Sequence, residues 1–217
     1  MIVSNRLLVL ASASPRRRDL LHQYGLDFHC LPADIDERQV TGDAALVACT
    51  LSALKARWVY EKVMETNFEN AHTSELWILG SDTVVAFRGD VIGKPADDED
   101  ARRILGVLSG NVHQVVSGVS VVTPDGEVRQ TVEMSSVMFR TLTEEEIAAY
   151  VASGDAEGKS GAYGIQSGGA SLIEGFEGCY FNIVGLPIRQ TFDMLELPAP
   201  DCGCECHRLQ LGDRGCE

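Results

Sequence analysis

No run of apolar residues in this 217-residue chain approaches the roughly 18 to 20 needed to cross a bilayer as a helix. The stretch "LLVLASAS" has small residues at its end, as a signal sequence does. Yet only Arg6 stands before it as a basic residue, and three arginines follow at once. It reads as a strand, and the expected location is cytoplasmic. Basic charge is scarce: 18 Lys and Arg against 32 Asp and Glu give a formal net charge of -14. The averaged field of such a chain repels nucleic acid polymers and anionic membranes, so neither is an expected partner, whereas a small polyanion in one basic pocket is compatible with it.

Several motifs are missing as well. G-x-S-x-G, H-E-x-x-H and a complete dinucleotide fingerprint do not occur, so an esterase, a zinc protease and a Rossmann dehydrogenase find no support. "GDAEGKS", Gly154 to Ser160, is not a P-loop: three residues separate its glycines where Walker A has four, a predicted helix precedes it, and two acids lie inside it. The seven cysteines are odd in number, with Cys30, Cys49 and Cys179 scattered and Cys202, Cys204, Cys206 and Cys216 crowded at the end. This is no disulfide framework, and the three inner ones read as reduced core cysteines. The alternate spacing in "CGCECH" differs from the C-x2-C pairs of structural zinc sites.

What is present fits one globular unit or two closely packed lobes, with 45% hydrophobic residues. Leu7 to Ala11 suits a buried strand; Ser14-Pro15 reads as N-cap and first position of a helix to about Tyr24, closed by Gly25. Residues 27–33 read as a second strand, followed by an acidic loop, "ADIDERQ". A long helix begins near Asp43 with Val47, Leu51, Leu54 and Trp58 on one stripe and Lys55 at its edge. A polar connection, "NFENAHTSE", leads into the apolar "LWILGSDTVVAF", a turn at Arg88-Gly89-Asp90, and a helix over Asp97 to Leu108.

Then "HQVVSGVSVVT" and "EVRQTVEMSSVMFRTL" alternate about Pro124-Asp125-Gly126 as an antiparallel hairpin. Thr143 and Glu146 form a capping box for a helix to about Ala152. A glycine-rich segment, "GDAEGKSGAYGIQSGGA", is a candidate functional loop; a strand near Ser171 to Ile173, a loop, and a helix from about Leu186 to Leu195 follow. Residues 1–197 form the expected domain, and 198–217 a cysteine-rich tail without periodicity, expected to be disordered. The intermixed order gives an α/β class with a mixed sheet.

Three arginines at a helix start are unfavourable beside its positive end unless an anion is near. The turn "LASASPRRRDLL" offers backbone N–H groups, the Ser12 and Ser14 hydroxyls and the guanidinium forks of Arg16 and Arg17 to phosphate oxygens; the alternative is a solvated basic turn. Asp82 ends a run that should be buried, where a carboxylate requires a partner or a cation. Glu37 in "DIDER" is a second carboxylate suited to a divalent metal, although acidic loops are common; Lys55 and Lys94 suit phosphate, although most lysines are solvated.

In this order the motifs "LASASPRRRDLL", "DIDE", "GSDTVV", "GKP", "LSGNVHQVVSGV", "VMFRTLTEEEIAAYVASG", "GKSGAYGIQ" and "NIVGLP" resemble the Maf family of nucleoside triphosphate pyrophosphatases over roughly residues 7 to 196. The resemblance implies an elongated mixed sheet flanked by helices, similar to inosine triphosphatases, with a cleft between two lobes. It implies hydrolysis between the α- and β-phosphates, assisted by Mg²⁺ or alternatively Mn²⁺ or Co²⁺, and a homodimer. Asp82 then matches the catalytic acid, able to act as base or as metal ligand; Glu37 matches the metal-associated carboxylate; Ser12, Arg16, Lys55 and Lys94 match phosphate-handling positions. Arg16, Thr83 and Gln166 match the subgroup acting on dTTP and UTP, and a glutamine amide complements the N3–H and carbonyl edge of those bases. The family commonly has glycine after that glutamine, where this chain has Ser167. Alternatives are the same reaction on a methylated guanine nucleotide, or a nucleotide-binding regulator of division.

Overall fold

A computed structural model describes residues 6–65 and 75–203. Most of the polar connection (66–74) and the tail beyond Gly203, with Cys204, Cys206 and Cys216, lie outside the described residues. The architecture is mixed α/β. Strands β1 (Leu7–Leu10), β2 (His29–Cys30), β3 (Leu76–Phe87), β4 (Asp90–Ile92), β5 (Val112–Val122), β6 (Val128–Phe139) and β7 (Ile173–Glu177) form one sheet. Their order is β2-β1-β3-β5-β6-β7, with β4 folded back on β3. The first three in space run parallel, and the rest are antiparallel.

Helices α1 (Pro15–Gln23), α2 (Ala44–Glu65), α3 (Asp98–Leu108), α4 (Glu144–Ala152), α5 (Tyr180–Val184) and α6 (Ile188–Met194) cover the two faces. Alternation along β3 divides the core. Ile78 and Val84 pack with α2 residues such as Ala56, Val59 and Val47, whereas Leu79 and Val85 join the larger cluster with α1, α3, α4 and α6. Thr143 and Glu146 form the expected capping box at α4, and Asp97 caps α3.

How α2 meets the sheet fixes the site. A Cβ on Gly80 would stand 2.3 Å from the Ser52 carbonyl oxygen, and one on Gly118 2.1 Å from that of Ala48. The helix backbone therefore rests directly on two glycines of β3 and β5. Ser52 and Ser120 hydroxyls bond across this contact at 2.8 Å. The inward face of α2 accordingly carries Ala48, Ser52, Lys55 and Ala56, all buried, while Leu54 is 42% exposed. The apolar stripe placed Leu54 inward and Lys55 at the edge; close backbone approach selects small residues instead and brings Lys55 in.

Other expectations are corrected. The strand at 27–33 reduces to His29 and Cys30, because pairing with β1 ends where Pro32 has no N–H to offer. Cys30 is exposed, whereas Cys49 and Cys179 are buried. Asp82 lies mid-strand, since β3 continues to Phe87. Residues 168–172 form a 3-10 turn before β7, in which Gly169 presses on the Gly164 carbonyl. The expected loop before the final helix contains α5, too short to show periodicity, capped by Cys179 and stopped by Gly185 at φ +125°.

Candidate active site

A cavity of about 340 Å³ opens between the end of β1 with the start of α1 on one side and residues 158–160 with Tyr163 on the other; Asp82 and Thr83 form its floor. Lys55 is the central feature. Its ammonium lies 2.5 Å from Asp82 Oδ1 and 2.6 Å from Glu37 Oε1, so one cation joins two carboxylates. Lys94 Nζ donates to the other Glu37 oxygen at 3.3 Å. The Lys55 and Asp82 side chains are 10% and 11% exposed, against 38% for Glu37 and 55% for Lys94, so the set grades from a dry floor to a wet rim. Glu37, in a 3-10 turn, is pushed up by burial, but the hydrogen bond and charge of Lys55, aided by Lys94, outweigh this and hold it below the usual carboxylate range.

The arginine-rich turn divides its labour. Arg17 is buried and donates three ways: Nε to the Gly185 carbonyl at 2.9 Å, Nη1 to Ser12 Oγ at 2.9 Å and Nη2 to Thr83 Oγ1 at 3.1 Å. It ties β1, β3 and the α5 terminus together. Burial draws its pKa down, and Asp82 opposes this. Arg16 is half-buried and lines the cavity; burial lowers it too, against the charge of Asp155. Arg18 is exposed, so the solvated reading holds for one arginine of three. Ser14 lines the cavity, but its hydroxyl does not cap α1; instead its N–H donates to Ser12 Oγ at 3.2 Å.

Thr83 Oγ1 also meets Ser117 Oγ at 2.8 Å. Nine of the ten expected site residues thus line one cavity. Gln166 does not; it is exposed and outside the lining. Sequence reasoning missed Lys159, Ser160, Tyr163 and Gly185, which do line it. The glycine-rich loop was the only signal for the first three. Ser160 Oγ donates to the Thr83 carbonyl at 3.0 Å, and Tyr163 OH meets His113 Nε2 at 2.8 Å, with His113 lowered to about 4 by burial.

Two carboxylates, a shared lysine and several further cations around one cleft suit a ligand carrying several negative charges. The Maf-like protein family model matches residues 7–197. The chain belongs to the Maf-like protein family. A dTTP/UTP pyrophosphatase of Ruminiclostridium cellulolyticum is 42% identical, the match covering 88% of this chain and 95% of that protein. Those of Agrobacterium fabrum and Moorella thermoacetica are 42% and 45% identical, covering 90% and 88% of this chain and 93% and 94% of theirs. Among solved structures, the Staphylococcus aureus Ham1 protein is 16% identical with a TM-score of 0.39, covering 62% of this chain and 72% of that one. No helix of the described residues of this Maf-like chain is long and apolar enough to cross a membrane.

Proposed function

We propose that this Maf-like protein hydrolyses nucleoside triphosphates, dTTP and UTP foremost, to the nucleoside monophosphate and pyrophosphate. The observation that carries the reading is the Lys55 ammonium held between Asp82 and Glu37 at the floor of a cation-rimmed cleft. The relatives named dTTP/UTP pyrophosphatase, matched over nearly their whole length, support the choice of base.

The residue types fit the chemistry. Attack of water on the α-phosphorus in line with the departing pyrophosphate builds negative charge on nonbridging and leaving oxygens. Lys55, Lys94 and Arg16 are placed at the cavity to offset it, while Arg17, which also lines it, keeps the turn in shape through its bonds to Gly185, Ser12 and Thr83. Asp82, with one oxygen on Lys55, accepts the proton of the attacking water or orients it.

A divalent cation, Mg²⁺ or alternatively Mn²⁺ or Co²⁺, belongs to the same proposal, and the donor set fits it. Asp82 Oδ1 and Glu37 Oε1 already converge on one positive centre, and Mg²⁺ is commonly held by one or two carboxylates completed by substrate phosphates. When bound, it supplies charge stabilisation of the phosphate oxygens. Gln166 as base reader and a homodimer rest on the family resemblance, and a cytoplasmic location on the reading of "LLVLASAS" as a strand.

The test is pyrophosphate release from a panel of canonical and modified nucleoside triphosphates with Mg²⁺, wild type beside Asp82→Asn. Cleavage of dTTP and UTP that the substitution abolishes is expected. Strong activity on a methylated guanine nucleotide with little on dTTP and UTP would overturn the base assignment. Absence of any cleavage by the folded protein would point to a nucleotide-binding regulator.

A further inference from the structure

The wall of the cleft opposite the arginine turn is built by a loop whose parts converge on one carboxylate, Asp155. Ser167 Oγ lies 2.7 and 2.6 Å from its two oxygens, Tyr150 OH donates to Oδ2 at 2.7 Å, and Lys159 Nζ donates to Oδ1 at 3.1 Å and to the Asp155 carbonyl. Tyr150 OH also accepts from the Gly164 N–H at 3.2 Å. One side chain therefore gathers the start of the loop, its cleft-facing lysine and its far end. Asp155 also acts electrostatically on Arg16.

Ser167 stands where the family resemblance leads one to expect glycine. Its backbone, at φ -121° and ψ -147°, has a negative φ and so makes no left-handed demand for glycine. The hydroxyl instead adds a contact that glycine could not make. The bond reaches an ionised group, and such bonds are about twice as strong as neutral ones. Gly169, by contrast, must stay small, since a Cβ there would stand 2.5 Å from the Gly164 carbonyl oxygen. The loop is thus closed upon itself at both the Gly164–Gly169 crossing and the Asp155–Ser167 bond.

We propose that Asp155 and Ser167 form a clamp that pre-sets the loop carrying Lys159 on the cleft wall, making both positioning residues for nucleotide affinity. The clamp rests on the nucleoside triphosphate reading above. Ordering the loop before the substrate arrives removes that cost from binding, so the clamp acts on affinity and leaves the Lys55–Asp82 chemistry alone. Lys159 lines the cavity.

The experiment compares Ser167→Ala, Ser167→Thr, Asp155→Asn and the Ser167→Ala/Asp155→Asn double variant on dTTP, UTP and CTP. Loss of one solvent-exposed hydrogen bond should raise KM roughly three- to ten-fold in Ser167→Ala while kcat stays within about two-fold. Ser167→Thr, which keeps the hydroxyl, should restore KM, and the double variant should be no worse than Asp155→Asn alone. An unchanged KM, a fall in kcat alone, or additive losses would overturn the clamp. Wild-type activity alone judges the substrate reading, and the variants are compared on whichever triphosphate wild type cleaves best. If wild type cleaves none, equilibrium binding of the same nucleotides to wild type and Ser167→Ala decides the clamp: weaker binding supports it and equal binding overturns it.

Discussion

Replacing Gly118 by alanine should disable the protein through a contact in which no charged residue of the site takes part. The new Cβ would lie 2.1 Å from the Ala48 carbonyl oxygen, 2.4 Å from its carbon and 2.8 Å from the Cys49 nitrogen. All three are backbone atoms of α2, so no side chain can turn aside. Relief to ordinary contact, about 3.4 Å, requires the helix to lift by about 1 Å. Overpacking of this kind costs typically about 1 to 3 kcal/mol, and the absence of a flexible neighbour puts Gly118→Ala at the upper end. Lys55 rides on the same helix, two turns along, and its 2.5 Å contact with Asp82 would open. A displacement of about 1 Å can cost on the order of 100-fold in turnover.

Urea denaturation and pyrophosphate release, measured on the same preparation, report both effects. Gly106→Ala is the control: exposed on α3 with nothing within 4 Å of a new Cβ, it should gain roughly 0.5 to 1 kcal/mol and keep full activity. Wild-type stability and turnover in Gly118→Ala would refute the argument that glycine seats α2.

Glu133 is fully buried beside Gln190, and burial, with Cys179 adding, pushes its carboxyl from 4.5 up to about 8. Between those values the folded state holds a proton that the unfolded state has lost. Its contribution is therefore complete below pH 4.5, falls by about 1.4 kcal/mol per pH unit between 4.5 and about 8, and is lost above that. Urea midpoints from pH 5 to 9 should show this slope relative to Glu133→Gln; equal slopes would count against it. Thr143→Ala removes the capping box of α4 and should cost about 1 kcal/mol without altering turnover, since neither Thr143 nor Glu146 lines the cleft. Excess EDTA should abolish hydrolysis and Mg²⁺ restore it; full activity in chelator would remove the divalent cation from the proposal.

Much of this was legible in the sequence because its causes are local. Thr143 with Glu146 announces a helix start, Pro124-Asp125-Gly126 a hairpin, and a carboxylate inside "LWILGSDTVVAF" announces a buried group that needs a partner. The partner itself was not legible. Lys55 and Asp82 are 27 residues apart, and an apolar-stripe reading of α2 favours Leu54 for the inward position. Nor does a run of three arginines disclose that the middle one is buried and bonded to three partners while the third is solvated.

By itself, then, the sequence determined the element types, the mixed α/β class and the chemical character of the cleft. Periodicity, capping and the cost of burying charge operate within a few residues and leave a local trace. Tertiary structure alone decided that Lys55 would join Asp82 to Glu37, that Asp155 would gather Lys159, Tyr150 and Ser167, and that Gln166 would stand outside the cavity. These depend on how closely one backbone can approach another. For Lys55 that distance is set by glycines on β3 and β5 meeting a helix folded from a different part of the chain, and for the Asp155 loop by Gly169 against Gly164.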